Sequence, residues 1–146
     1  MPDGNEPITD DEFVFRRIPA SMNWYNREVS EFSSPQAFTP ITHDRDGLSL
    51  VRAKYMSAEE CGATGMEGRQ FYVAIFSVRV LREHNIIVEP DPQEGNPGHC
   101  LIPSMIYSNR DSDATIEQAA RMSQIAIQID GPFWGRRPRR PILPPP

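Results

Sequence analysis

"QFYVAIFSVRVL", residues 70–81, is the stretch on which the fold turns. Its apolar residues are nearly continuous through Phe76, the pattern of a strand covered on both faces. Pleating then places Phe71, Val73 and Ile75 on one face and Tyr72, Ala74 and Phe76 on the other. Such a strand needs neighbours, and the sequence offers them on both sides. "GLSLVRA" (47–53) alternates Leu48, Leu50 and Arg52 against Ser49, Val51 and Ala53. "FVFRRI" (13–18) is apolar and β-rich, and Pro19 ends it because proline lacks the N–H a ladder needs. "NIIVEP" (85–90) and "HCLIPSMIY" (99–107) read as short strands, the second broken by Pro103.

Helical signals are fewer. Ser57 and Glu60 in "SAEECGA" have capping-box spacing, which predicts a short helix from Ser57. Between Asp113 and Ile129, the residues Ile116, Ala119, Ala120, Met122, Ile125 and Ile127 recur at helical spacing, with Asp113 as a natural N-cap and Glu117 in the first turn. "SMNWYNREVSEF" (21–32) reads as a helical turn carrying Trp24 and Tyr25. "SSPQAFTP" (33–40), bracketed by prolines, reads as irregular. No internal repeat is visible. Few links between strands are long enough for parallel crossovers. The expected fold class is α+β: a single small domain with a mixed, mainly antiparallel sheet, one long C-terminal helix and one short helix, flanked by disordered tails. The expected boundaries are a disordered acidic lead at 1–12, the domain at 13–135 and a Pro/Arg-rich tail at 136–146.

Hydrophobic residues make up 38% of the 146-residue chain, enough for one core. The formal charge of −5 is unevenly spread. Four of the fifteen basic residues lie in 136–140, leaving eleven against twenty acids in 1–135, a charge of −9. An acidic body lacks the basic surface that displaces counterions from a nucleic acid, so no nucleic acid is expected as a partner. Cys61 and Cys100 make neither a disulfide framework nor a CxxC site. "MPDGNEPITDDE" has no apolar signal-peptide core, and no apolar run approaches a membrane span. The expectation is a cytoplasmic protein with reduced thiols, no membrane partner and no cofactor.

Four residues stand out as candidates for chemistry. Arg16 and Arg17 interrupt an apolar strand, so one must face inward and find a carboxylate or an anionic ligand. Ser49 sits in the middle of its strand, where a small packed serine is the ordinary case. His99 follows Pro97 and Gly98 in "DPQEGNPGHC" (91–100), either as an acid, base or ligand or as a turn histidine bonded to a nearby carbonyl. "HDRD" (43–46) holds one histidine and two carboxylates, but no second cluster has ligand spacing. His99 and Cys100, as strand neighbours, point to opposite faces, so no metal site is expected. No G-x-S-x-G elbow, P-loop or dinucleotide fingerprint is present.

The tail "GRRPRRPILPPP" (135–146) spaces Pro138, Pro141 and Pro144 by three, along one edge of a polyproline II helix. Arg136, Arg137, Arg139 and Arg140 accompany that edge, a composition suited to an aromatic-lined groove on another protein. "GPFWG" (131–135) is expected to pin the tail's root through Phe133 and Trp134.

The string "FRRIP…SSPQAF…DRDGLSLVRA…EPDP…NPGHCLIP" resembles a loose group of small bacterial proteins with no assigned function. They share an arginine strand (Arg16, Arg17), an S-x-A-F-like element (Ser34, Phe38), a D-x-x-x-L-S-type strand (Ser49), D-P (Asp91, Pro92) and P-x-H (His99). The resemblance covers roughly residues 13–104 and implies a bacterial origin, with no reaction attached. An arginine on the first strand, a serine on a later one and a short helix after it are also similar to ADP-ribosyltransferase-like folds. No glutamate stands in a clear catalytic motif, and Glu89 and Glu117 are only nominal substitutes. Two functions are therefore expected. The first is a protein-binding or regulatory module using the tail. The alternative is a small nucleotide-binding enzyme whose pocket gathers Arg16 or Arg17, Ser49 and His99.

Overall fold

The run 70–81 divides at Ser77. In the computed structural model, which describes residues 3–138, Gln70–Ser77 is a strand and Val78–Glu83 a helix. The Ser77 hydroxyl caps that helix by accepting from the Val80 N–H at 3.4 Å. In chain order the main elements are β1 (Phe13–Pro19), β2 (Tyr25–Asn26), β3 (Glu31–Phe32), β4 (Leu48–Arg52), α1 (Ala58–Ala63), β5 (Gln70–Ser77), α2 (Val78–Glu83), β6 (Glu89–Pro90), β7 (His99–Ile102), α3 (Asp113–Ile125) and β8 (Gln128–Trp134). The fold is α+β, as expected, with three α-helices rather than two among the described residues.

Six strands make one sheet in the order β6-β7-β4-β1-β5-β8, and every ladder is antiparallel. β2 and β3 form a separate hairpin where a helical turn was expected, because Tyr25 pairs with Phe32 and stacks on it with ring centroids 5.0 Å apart. β5 is covered on both faces, as its apolar run predicts. Ala74 and Phe76 are wholly buried in the main core with Val14, Ile18, Phe38, Leu48 and Leu50. Val73 is wholly buried on the other face with Phe15 and Cys61, and Ile75 packs against that smaller cluster.

The helix expected over 113–129 stops at Ile125. Ser112, not Asp113, is its N-cap, accepting from the Thr115 N–H at 3.2 Å. Thr115, Ala119 and Met122 form its buried stripe, while Ile116 stays 49% exposed. Ala126 turns extended, the Ile127 N–H donates to the Ile75 carbonyl at 2.9 Å, and Ile129 settles opposite Ala74 in β8. β5 would otherwise leave a full row of backbone groups unpaired, and satisfying them outweighs about one further turn of helix. "GPFWG" is thus mostly strand. "NIIVEP" forms a ladder only at Glu89–Pro90, opposite Leu101 and Cys100.

The lead expected to be disordered is anchored on the body at Gly4, Ile8 and Glu12. Ile8 is 5% exposed in the main core, and Gly4 (φ +93°) lies so near the 91–99 loop that a Cβ there would meet the Pro97 carbonyl oxygen at 2.0 Å. Arg52 is the reason the lead is held. Its alternation with Leu48 and Leu50 turns it into the core, where its donors must find acceptors, and residues 4–12 supply them.

Candidate functional site

The sheet separates the two candidate arginines. Arg16 faces the main core between Val14 and Ile18, whereas Arg17 lies on the side of Phe15 and α1. Ser49 and His99 share the face of Arg17, since Ser49 is two residues from Val51 and His99 pairs with Val51. A site using Arg16 with Ser49 and His99 side chains would have to reach through the sheet.

Each candidate already has a local partner. Arg16 Nη1 donates to the Ser49 carbonyl at 3.0 Å, and its Nη2 lies 3.7 Å from Asp44 Oδ2. Asp44, from the "HDRD" loop, is 1% exposed and accepts from the N–H groups of Ile41 (2.8 Å) and Ser49 (3.0 Å). This is the inward arginine with its carboxylate that the strand pattern requires. Burial lowers the Arg16 pKa, Asp44 opposes that shift, and Arg16 Nε is left without an acceptor. The Ser49 contribution is made through its backbone.

His99 is 8% exposed, with Nδ1 3.0 Å from the Asp91 carbonyl oxygen and 3.1 Å from Asp91 Oδ2. The Asp91 N–H donates back to the His99 carbonyl at 2.9 Å, so the pair closes the loop 91–99. Gly98 is needed because Tyr55, not a ligand, packs on its backbone: a Cβ there would lie 2.6 Å from Tyr55 Cβ. His99, the first residue of β7, is bonded to the carbonyl and carboxylate of the residue at the start of the loop it closes.

Arg17 differs from these. Nη1 donates to Thr64 Oγ1 at 2.5 Å, the guanidinium lies over the Phe71 ring at 5.2 Å, and the Thr64 hydroxyl is itself donated to the Cys61 carbonyl at 2.6 Å. Burial lowers the Arg17 pKa, and the like charges of Arg16 and Arg137 lower it further. Beside it, burial pushes the Cys61 thiol up to about 11 against the pull of both arginines, and burial raises Cys100 as well. Both thiols are buried, and burial favours their protonated form.

Arg52 was not among the candidates. It is fully buried, with Nε and Nη2 gripping both Glu12 oxygens at 2.8 and 2.9 Å. Its other bonds go to the carbonyls of Gly4 (3.3 Å), Glu6 (3.0 Å) and Pro7 (3.3 Å). The signal was present in the alternation of "LSLVR", which puts Arg52 on the face of two core leucines.

Of the tail, Arg136, Arg137 and Pro138 are described, while Arg139, Arg140, Pro141 and Pro144 lie outside the described residues. The root is tied to the body. Gly135 N–H donates to the Arg69 carbonyl (2.8 Å), Arg136 N–H to Ala63 (2.8 Å) and Arg137 N–H to Gly65 (2.9 Å), and the Arg137 carbonyl accepts from Glu67 N–H (2.9 Å). Trp134, immediately before, is 61% exposed.

Among the described residues no three His, Cys, Asp or Glu side chains gather as a metal site, and no helix is long and apolar enough to cross a membrane. Comparison with known proteins gives no match, whether to a family model, a curated protein or a solved structure.

Proposed function

We propose that the protein is a protein-binding module whose contact region is the root of the Pro/Arg tail together with the exposed end of β8. The observation that carries this reading is the anchoring of residues 135–137 by four main-chain hydrogen bonds to the segment 63–69. A tail that leaves a folded body from a fixed point, with Pro138 at the exit, loses less freedom when a partner orders it. Trp134 stands beside that exit with most of its surface in solvent, and aromatic residues with arginines are the side chains that dominate protein contacts. The sequence beyond supplies Arg139, Arg140, Pro141 and Pro144. Their chemistry fits a groove lined by aromatic rings and rimmed by carboxylates. The four candidates Arg16, Arg17, Ser49 and His99 have local partners instead of a shared pocket, which favours binding over catalysis.

The test is affinity capture with the full chain, with residues 139–146 deleted, and with Trp134→Ala, followed by titration of each captured partner. Ending the deletion at Pro138 keeps the bonds of the root, so folding should be intact by circular dichroism. At least one partner should bind the full chain about tenfold more tightly than either variant. Equal affinity of all three proteins for every partner would overturn the reading.

A further inference from the structure

Of the three arginines on the inner strands β1 and β4, two sit with carboxylates. Arg52 is held by Glu12, and Arg16 has Asp44 at 3.7 Å. Arg17 has none within 4.0 Å among the described residues; Thr64 and Phe71, its contacts, are neutral. A half-buried guanidinium without a counter-charge is a costly arrangement. Two features make it worse. Arg16 stands next to it in the chain, and the tail root adds Arg137. The bridge between Met66 and Arg137, with its bonds to Gly65 and Glu67, fixes Arg137 beside the turn that carries Thr64. The charges of Arg16 and Arg137 both act against Arg17 in its protonated form.

Arg17 has five N–H donors, and among the described residues only Nη1 has an acceptor. Among the described residues Nε and Nη2 have no acceptor, and neither is a buried unpartnered atom of the kind that Arg16 Nε is. The half-buried fork is thus anchored at one nitrogen and open at the others, in the manner of a pre-positioned oxyanion receptor.

We propose that Arg17, held by Thr64 and Phe71 and joined by Arg137 of the tail root, is a binding site for a phosphate group. Two neighbouring cations match a phosphate, which carries between one and two negative charges at neutral pH, better than a single carboxylate. The Phe71 ring keeps one face of the guanidinium dry, which strengthens a charge-assisted bond made at its edge. The site stands whether or not the tail binds a protein.

The experiment is an NMR titration of the full chain at constant ionic strength, following the Arg17 Nε–H and the backbone amides of Thr64 and Val73. Inorganic phosphate, a nucleoside monophosphate and acetate are the three ligands, with chloride as the reference. Phosphate should give saturable shifts at these groups, and Arg17→Gln should weaken its affinity by about tenfold or more, the value of one charge-assisted bond. Arg137→Gln, an exposed change that leaves the backbone bonds of the root in place, should weaken it by a smaller factor. Tighter binding of the nucleotide than of phosphate identifies a nucleotide as the source of the group, and equal binding identifies phosphate itself. Both outcomes support the site. Shifts that rise linearly as with chloride, equal affinity in Arg17→Gln and Arg137→Gln, or acetate binding as tightly as phosphate would each overturn it. No partner protein enters the assay, so its failure is separable from that of the tail.

Discussion

Arg52 and Arg17 lie on neighbouring strands of one sheet, and the chain treats them in opposite ways. Around Arg52 it brings the nine residues 4–12 and turns two Glu12 oxygens and three carbonyls toward a side chain with no exposed surface. Glu6 joins at 3.5 Å while also holding Lys54 at 2.8 Å and accepting from the Tyr55 hydroxyl. Around Arg17 there is one hydroxyl and one ring. A buried charge that is saturated by its own chain is a structural element. One that is left with open donors beside other cations is where a ligand would lower the free energy most.

The largest expected effect comes from cutting the saturated side. Arg52→Ala strands the Glu12 carboxylate and frees the lead, and should destabilise by about 3–5 kcal/mol in urea unfolding, as for removal of one member of a buried ion pair. Loss of amide-exchange protection should spread through residues 4–12. A cost below about 1 kcal/mol would mean that the lead is held mainly by Ile8, and would dissolve the contrast.

A smaller loss should follow acidification. Hydrogen bonds from Lys54 and Tyr55 hold the Glu6 carboxyl down at about 2, against 4.5 for an unperturbed glutamate. Burial is the largest single effect on Glu12 and works against its ionised form, yet the hydrogen bonds from Arg52 and the Thr9 N–H, together with the charges of Arg52 and Lys54, outweigh it and leave that carboxyl below its ordinary value too. A carboxyl whose folded pKa is depressed contributes stability that is fully present above about pH 4.5 and is lost as pH falls toward 2. Thermal midpoints across that window should fall steeply in the wild type and less steeply in Glu12→Gln. Equal slopes would show that the lead's carboxylates are not coupled to folding.

The smallest effect belongs to the other side. Arg17→Met keeps an unbranched apolar stem and removes the unneutralised guanidinium that lies over Phe71, so stability should stay within about 1 kcal/mol of the wild type and can rise. A loss comparable to that of Arg52→Ala would place Arg17 among the structural elements and remove the reason to look for its ligand.

Much of the architecture was legible because it rests on local chemistry. The capping box of Ser57 and Glu60 forms as spaced, with reciprocal bonds at 3.1 Å. β1, β4 and β5 run where apolar and alternating residues put them. The site was less legible. That one of Arg16 and Arg17 must face inward follows from pleating, but which one, and that Asp44 waits for it, depends on the pairing of β1 with β4 and β5. The role of His99 was undecidable for the same reason: its partner Asp91 is eight residues away, across a loop whose closure no residue type announces.

By itself, then, the sequence determined the periodicities, caps and breaks, which depend on interactions between residues a few positions apart. It determined the α+β class and the paired faces of residues 71–76. Tertiary structure decided what long-range competition governs. Residues 127–129 leave a helical pattern because the edge of β5 must be paired. An acidic, proline-containing lead that looks unable to bury anything is ordered because a cation forty positions further on needs its carboxylate and carbonyls. Hydrogen-bond and charge satisfaction in a low-dielectric interior are properties of the assembled sheet, and no window of the sequence contains both partners.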